Sequence, residues 1–322
     1  MLSGVGSALL SANKGLLLRQ EVGLALAAGL TSMWWAIGSC IVSLILQEPI
    51  SLSRDVLSGA APGAVVDTLK QALEGARGPT VGTLAMRSLA DEAGGASPTA
   101  RSLSALLFAD DAGGAWQAIA GPCLGAVTAL AAALQPALGA PKESAARPSA
   151  APAGWNRAQA PQAARSPASQ HSAVLRSLLT ACEDGPHAVD AARALSALCC
   201  AARTADRLGV VQYAEPGLGA AVAALARALQ RSQSLQRATL SLPAGAIAVA
   251  AAAHGSWGLS ASAETVDAAL CPLWMVEDAA RTCLGRLLQA YGPASLEQAV
   301  IESRALGPDE KQETLNALTK FQ

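Results

Sequence analysis

The sequence predicts an all-α protein, and three features of its composition support that fold class. Apolar residues make up 52% of the 322 residues, and alanine and leucine supply most of them. Both residue types rank at the top of the helix-propensity scale. Aromatic residues reach only 3%, although strands favour aromatic and β-branched side chains. Glycine and proline recur between the apolar segments, so we expect many short helices.

Helical periodicity and turn residues divide the chain into segments typical of short helices. Short helices with short connections favour stacked antiparallel helix pairs over one long bundle. The last segment, together with Phe321, is expected to cap the stack. The predicted helices cover residues 63–75, 79–93, 98–109, 115–135, 172–183, 187–207, 217–231, 262–274, 275–291, 294–305 and 309–320.

A Pro/Ala-rich stretch at 138–170 interrupts this series of helices. It carries repeated prolines and no leucine after Leu138. Proline breaks helices, and so few large apolar side chains offset little of the entropy lost on ordering. The sequence therefore predicts a disordered linker at 138–170. It would separate N-terminal helical repeats at 1–137 from C-terminal helical repeats at 171–322.

Four segments repeat one helical pattern, with apolar residues at intervals of four. In the most regular copy these residues are Val276, Ala280 and Leu284. Small residues in the middle of such a face let a neighbouring helix pack closely. Two copies also share the tetrapeptide Asp-Ala-Ala-Arg. The copies are VEDAARTCLGRLL at 276–288, AVDAARALSALCC at 188–200, VGTLAMRSLADEA at 81–93 and LRQEVGLALAAGL at 18–30.

This pattern resembles the second helix of a HEAT repeat. The segments VVDTLKQALEGA (65–76) and TVDAALCPLW (265–274) both begin with Val-Asp and precede a copy. They are expected to be the first helices of their pairs. The resemblance covers about half the chain and implies a HEAT or armadillo-like α-solenoid, in which each pair needs its neighbours to bury its faces.

The resemblance implies a non-enzymatic scaffold or adaptor that binds other proteins, in vesicle trafficking or in complex assembly. In HEAT-like stacks the second helices line the concave surface where partners bind. By that resemblance Glu277, Asp278, Arg281 and Arg286 are candidates for partner contact, because they occupy the polar face of their helix.

Arg227 and Arg231 form a second candidate binding surface. They are four residues apart, so they share one face of the predicted helix, where an anionic partner could contact them. A solvated face explains the same spacing. The net charge of the whole chain is -1, so no strong positive field is available to attract nucleic acid.

No motif in the sequence predicts catalysis, a metal site or a cofactor. The three histidines do not pair with each other or with cysteine at ligand spacing, and no glycine-rich phosphate loop follows a predicted strand. The seven cysteines form no CxxC motif and lie mostly in apolar helical patterns. Free cysteines of this kind are typical of a reducing compartment, so we expect a cytoplasmic protein.

The stretch Gly23–Leu46 contains no charged residue and leaves two alternatives open. As one helix it would be long enough to span a bilayer, which predicts a membrane-anchored helical protein. However, Trp34 and Trp35 fall in its middle, whereas tryptophan favours the ends of a membrane span. The alternative is a soluble hairpin of two helices, with a turn at Gly29–Ser32 and Ser32 as the helix cap.

Overall fold

The computed structural model describes residues 30–34, 37, 62–74, 79–94, 98–109, 113–135, 167–213, 215–243 and 263–321. All regular secondary structure among these residues is helical. The all-α prediction is therefore confirmed for the part of the chain that is described. The chain divides into two compact units, Met1–Pro49 and Ile50–Gln322.

The second unit contains a series of α-helices that differ widely in length, from single turns to a helix of 39 residues. A 3₁₀-helix at Thr319–Phe321 follows the last of them. The helices are α1 (Pro62–Leu73), α2 (Pro79–Ala93), α3 (Pro98–Leu107), α4 (Gly114–Ala133), α5 (Pro167–Ala205), α6 (Val210–Tyr213), α7 (Leu218–Leu240), α8 (Ala263–Tyr291), α9 (Pro293–Glu302) and α10 (Pro308–Leu318).

Two helices continue where the sequence predicts breaks, and each of them contains a proline. The predicted helices 172–183 and 187–207 form one helix, α5, which contains Pro186. The predicted helices 262–274 and 275–291 likewise form α8, which contains Pro272. An interior proline costs a hydrogen bond and bends a helix. Buried apolar residues on both sides of each proline offset that cost, because both halves of each helix remain packed in the core.

The continuity of α8 corrects one predicted helix pair. Residues 265–274 are the first half of α8, so they are not a separate helix that precedes it. Among the described helices, α7 comes before α8 in the sequence and packs against it. Residues 138–166 lie outside the described residues, whereas 167–170, assigned to the linker from the sequence, form the first turn of α5.

The helices of the second unit lie in two rows. In one row α1 contacts α4, and α4 contacts α7. In the other row α5 contacts both α2 and α8. Contacts between the rows join α1 to α2, α4 to α5 and α7 to α8. Helices α9 and α10 contact each other and pack against α7, and α3 contacts α2, α4 and α5.

Helices α5 and α8 are parallel and closely packed. Ser196 Oγ donates a hydrogen bond to the backbone carbonyl of Cys283 (3.3 Å), and Cys283 Sγ donates to the carbonyl of Ala192 (3.4 Å). About two turns further along α8, Tyr291 Oη donates to the carbonyl of Cys199 (2.6 Å). These pairs are 87, 91 and 92 residues apart. The two Asp-Ala-Ala-Arg segments are 88 residues apart in the sequence, so they lie at similar heights on neighbouring helices.

Small side chains make this approach possible. Ala191, Ala194 and Ala280 are each no more than 2% exposed. Because these facing side chains are alanines, the serine and cysteine side chains can reach the backbone of the opposite helix. The buried stripe predicted for 276–288 is confirmed, since Val276, Ala279, Ala280, Cys283, Leu284 and Leu287 are all buried.

Helix α2 lies parallel to α5 on the other side. Thr83 Oγ1 lies 3.0 Å from His187 Nδ1 near the start of α2, and Gly94 at its end lies close to Ala197. The predicted stripe on this helix is partly wrong. Leu89 is fully buried, but Val81 is 37% exposed. Val81 lies in the first turn of α2, ahead of the first hydrogen-bonded contact with α5 at Thr83.

One helix of the second unit, α4, is long and apolar enough to cross a membrane by length and composition. Its buried residues, among them Trp116, Ile119 and Val127, belong to the main hydrophobic core. Trp116 Nε1 donates a hydrogen bond to the carbonyl of Pro216 (2.7 Å), just before α7 begins. In this unit α4 is therefore a core helix.

Leu30–Trp34 are helical in the first unit. A hairpin with its turn at Gly29–Ser32 is therefore wrong, because Leu30, Thr31 and Ser32 are themselves helical. Residues 18–29 of the LRQEVGLALAAGL copy lie outside the described residues. Residues 75–76, the end of the VVDTLKQALEGA segment, lie outside them as well.

Substitutions at two separate glycines, Gly219 in α7 and Gly285 in α8, test the packing of α9 against α7. A Cβ atom at Gly219 would collide with the backbone carbonyl of Ala299 in α9. That carbonyl belongs to a helix, so Gly219→Ala must displace α9, and we expect it to lower the free energy of unfolding by about 1–3 kcal/mol. Gly285, within α8, has no atom within 4 Å of the corresponding position. Gly285→Ala should raise stability by about 0.5–1 kcal/mol.

Urea denaturation of both variants beside the parent measures these shifts. If Gly219→Ala is neutral while Gly285→Ala stabilises, α9 does not pack against α7 as described.

Candidate functional site

Arg227 and Arg231 lie between helices rather than on a solvated face. The Arg227 side chain is 17% exposed, and its Nη1 lies 2.7 Å from Glu310 Oε1 in α10. Arg231 Nη1 donates to the carbonyl of Ala131 in α4 (2.8 Å). Burial lowers the pKa of Arg231, as expected for a guanidinium that is partly removed from water. Both arginines join α7 to neighbouring helices, and an outside anion at Arg227 would compete with Glu310.

Glu277 also connects two helices. Its two carboxylate oxygens accept hydrogen bonds from Gln233 Nε2 (3.0 Å) and Gln236 Nε2 (2.8 Å), both on α7. Arg281 Nη2 lies 2.7 Å from Glu277 Oε1, one turn along α8. The Arg281 side chain is 58% exposed, whereas that of Glu277 is 19% exposed. Glu277 therefore contributes to the packing of α7 on α8, and Arg281 presents part of its guanidinium to solvent.

Asp278 and Arg286 are both exposed on α8. Arg286 lines a groove that runs over the row of parallel helices, and of the six candidate residues it is the one that lines this groove. The structure therefore does not gather the six candidates into one surface. Arg227 and Arg231 belong to the contacts of α7 with α4 and α10, and the four acidic and basic residues on α8 follow the length of that helix.

The groove consists of two adjoining depressions over the C-terminal half of α5. The first has a volume of about 670 Å³ and lies between α5 and α3. The second has a volume of about 560 Å³ and lies between α2, α5 and α8. Gly94, Ala197 and Cys200 line both of them. Most of the other lining side chains are small: Ala90, Ala93, Ala100, Ser104, Ala105, Ala201, Thr204, Ala205 and Ala290.

Positive charge is concentrated at the edges of the groove. Arg101 and Arg207 line the first depression, and Arg286 lines the second. The acidic residue Asp91 also lines the second depression. No carboxylate of the described residues lies within ion-pair distance of these three arginines. Among the groove arginines, sequence reasoning identified Arg286 and missed Arg101 and Arg207.

One signal for Arg101 was available in the sequence. It lies at the fourth position of α3, whose first turn holds no acidic residue. A positive charge near a helix N-terminus opposes the helix dipole, so Arg101 does not stabilise its own helix there. Arg207 lies in the connection after α5, and no periodic pattern marks it.

The groove itself offers little for catalysis. Cys200 lines it, but burial raises the pKa of this thiol, and a protonated thiol is a poor nucleophile. Deeper in the core, burial raises the pKa of Cys123 to about 12 and that of Cys283 to about 11. Among the described residues, no group of three or more His, Cys, Asp or Glu side chains is placed to hold a metal ion.

Comparison with known proteins finds no matching family model, no matching curated protein and no matching solved structure. The function is therefore inferred from the arrangement of the helices and from the groove.

Proposed function

We propose that this chain is a non-enzymatic helical scaffold that binds other proteins, built as an α-solenoid of the HEAT or armadillo kind. The order of the contacts supports the solenoid. Helices α1, α4 and α7 follow one another in one row, and α2, α5 and α8 in the other. Each first helix packs on the second helix of its own pair, and α9 with α10 covers the far side of α7. Such nearest-neighbour stacking is typical of repeat proteins.

The groove over α5 carries the functional part of this proposal. It lies on the row formed by the second helices, which in HEAT-like stacks line the binding surface. It is wide, open and lined by small side chains, with arginines at its edges. Partner-binding surfaces combine an apolar centre with a polar rim, and arginine is more frequent in them than on the rest of the protein surface. A scaffold in the cytoplasm, acting in vesicle trafficking or complex assembly, would use this surface to hold a partner protein.

Site-specific photocross-linking tests the scaffold function. Thr204 lies in the groove and is exposed, so benzoylphenylalanine introduced at this position should cross-link to partner proteins in cells. The matched control is Ser234, which is exposed on α7 and does not line the groove. We expect discrete adducts with other proteins at position 204 and few at 234. Equal adduct patterns, or no adduct at 204, would contradict the proposal.

A second candidate function, membrane anchoring through Gly23–Leu46, is favoured by a separate observation. Four large apolar side chains in this stretch are exposed: Leu30 (55%), Met33 (52%), Trp34 (70%) and Ile37 (42%). Leu30, Met33 and Trp34 are three and four residues apart and share one face of the helix, and the intervening Thr31 and Ser32 are exposed as well. An exposed apolar face within an uncharged stretch of this length fits contact with lipid. The scaffold would then act at an intracellular membrane.

Alkaline extraction of membranes tests the anchor. If Gly23–Leu46 spans the bilayer, the parent protein should remain in the membrane pellet and dissolve only in detergent. The double variant Leu30→Lys/Trp34→Lys should move to the supernatant, because each lysine near the centre of a span costs about 2.5–3.5 kcal/mol. The control Trp274→Lys alters an exposed tryptophan on α8 (44%) and should leave the distribution unchanged. Parent protein that is soluble without detergent excludes the anchor.

A further inference from the structure

We propose that the groove over the C-terminal half of α5 binds an acidic segment of a partner protein, one that also carries apolar side chains. This inference rests on the proposed scaffold function and specifies the chemistry of the partner. Two properties of the groove support it: the charge at its edges and the size of the side chains on its floor.

The charge at the edges is positive and unpaired within the described residues. Arg101 and Arg207 lie along one depression and Arg286 along the other, against a single lining carboxylate at Asp91. Guanidinium groups bind carboxylates with paired hydrogen bonds, so an acidic segment has the complementary charge.

Three other arginines of this unit, Arg203, Arg227 and Arg281, have partners within the fold. Arg227 pairs with Glu310, and Arg281 with Glu277. Arg203, near the end of α5, donates from Nε to the carbonyl of Ala290 (3.2 Å) and lies 6.0 Å from the centre of the Tyr291 ring. The contacts of Arg227 and Arg203 join neighbouring helices, and that of Arg281 lies within α8. The three groove arginines make no such contact with the residues that the structure describes, and they are exposed, which leaves their charge available to a ligand.

The floor of the groove determines what the acidic segment must contain. Ala197, Ala201 and Gly94 leave room between α2 and α5, because their side chains end at or before Cβ. Apolar side chains of an incoming segment could fill that space and remove this surface from water. A nucleic acid would bring negative charge without side chains of that kind. The occupant is therefore expected to be a protein segment that alternates acidic and apolar residues.

Selection from a random 16-residue peptide library displayed on phage tests this inference, with the full-length chain as target. We expect the enriched peptides to carry net negative charge together with apolar residues. Binding of the best peptide, followed by fluorescence anisotropy, should weaken at least about tenfold in the triple variant Arg101→Glu/Arg207→Glu/Arg286→Glu.

The control variant is Arg176→Glu/Arg237→Glu/Arg304→Glu. It has the same change in net charge at exposed positions that line neither depression. It should keep affinity within about twofold of the parent, since none of its three residues lines the groove and salt screens exposed charges that do not contact the peptide. Thermal melting of both variants establishes that each remains folded, and a groove variant that unfolds is replaced by Arg101→Gln/Arg207→Gln/Arg286→Gln.

Three outcomes would overturn the inference. The library could yield neutral or basic peptides or none, the two triple variants could lose affinity equally, or duplex DNA could compete as well as the unlabelled peptide. None of these outcomes changes whether benzoylphenylalanine at position 204 cross-links to partner proteins. Adducts at Thr204 without acidic peptide binding would refute the partner chemistry and preserve the scaffold function.

Discussion

The close parallel contact between α5 and α8 is the constraint on which the rest of the second unit depends. Two helices approach closely enough for Ser196 and Cys283 to reach the opposite backbone only where their facing residues are small. The alanines of both helices meet this condition. Because α5 is fixed against α8, its other flank is free to receive α2, and α4 and α7 pack beneath the same row. A larger residue in this contact would therefore disturb more than one helix pair.

The same constraint creates the groove. Small residues continue past the buried contact to the surface of α5, where Ala197, Cys200 and Ala201 leave a depression that larger side chains would fill. Arg101 of α3, Arg207 in the connection after α5 and Arg286 of α8 lie at the edges of this depression and of the adjoining one. The binding surface is thus a consequence of how the helices pack, with its charge contributed by residues that are distant in the sequence.

The sequence predicts much of the fold and little of the surface. Composition and periodicity identify the helices. The repeated Asp-Ala-Ala-Arg pattern marks the two segments that pack side by side, because the alanines in each copy allow the other helix to approach closely. The predicted break at Pro186 is wrong because tertiary packing outweighs the local cost of proline, and the predicted break between Trp274 and Met275 is wrong because α8 continues through it. Arg101 and Arg207 could not be predicted as neighbours, since the packing of α3 against α5 brings them together.

The central claim is that helices on either side of residues 138–166 share one core through α5. Cutting the chain there tests it most directly. A protease recognition sequence inserted between Lys142 and Glu143 allows cleavage of the purified protein into two fragments. The shared core, which includes Leu89 and Trp116 before the cut and Leu195 and Leu284 after it, predicts that the fragments co-elute one to one and unfold in a single transition. Fragments that separate and melt independently would contradict it.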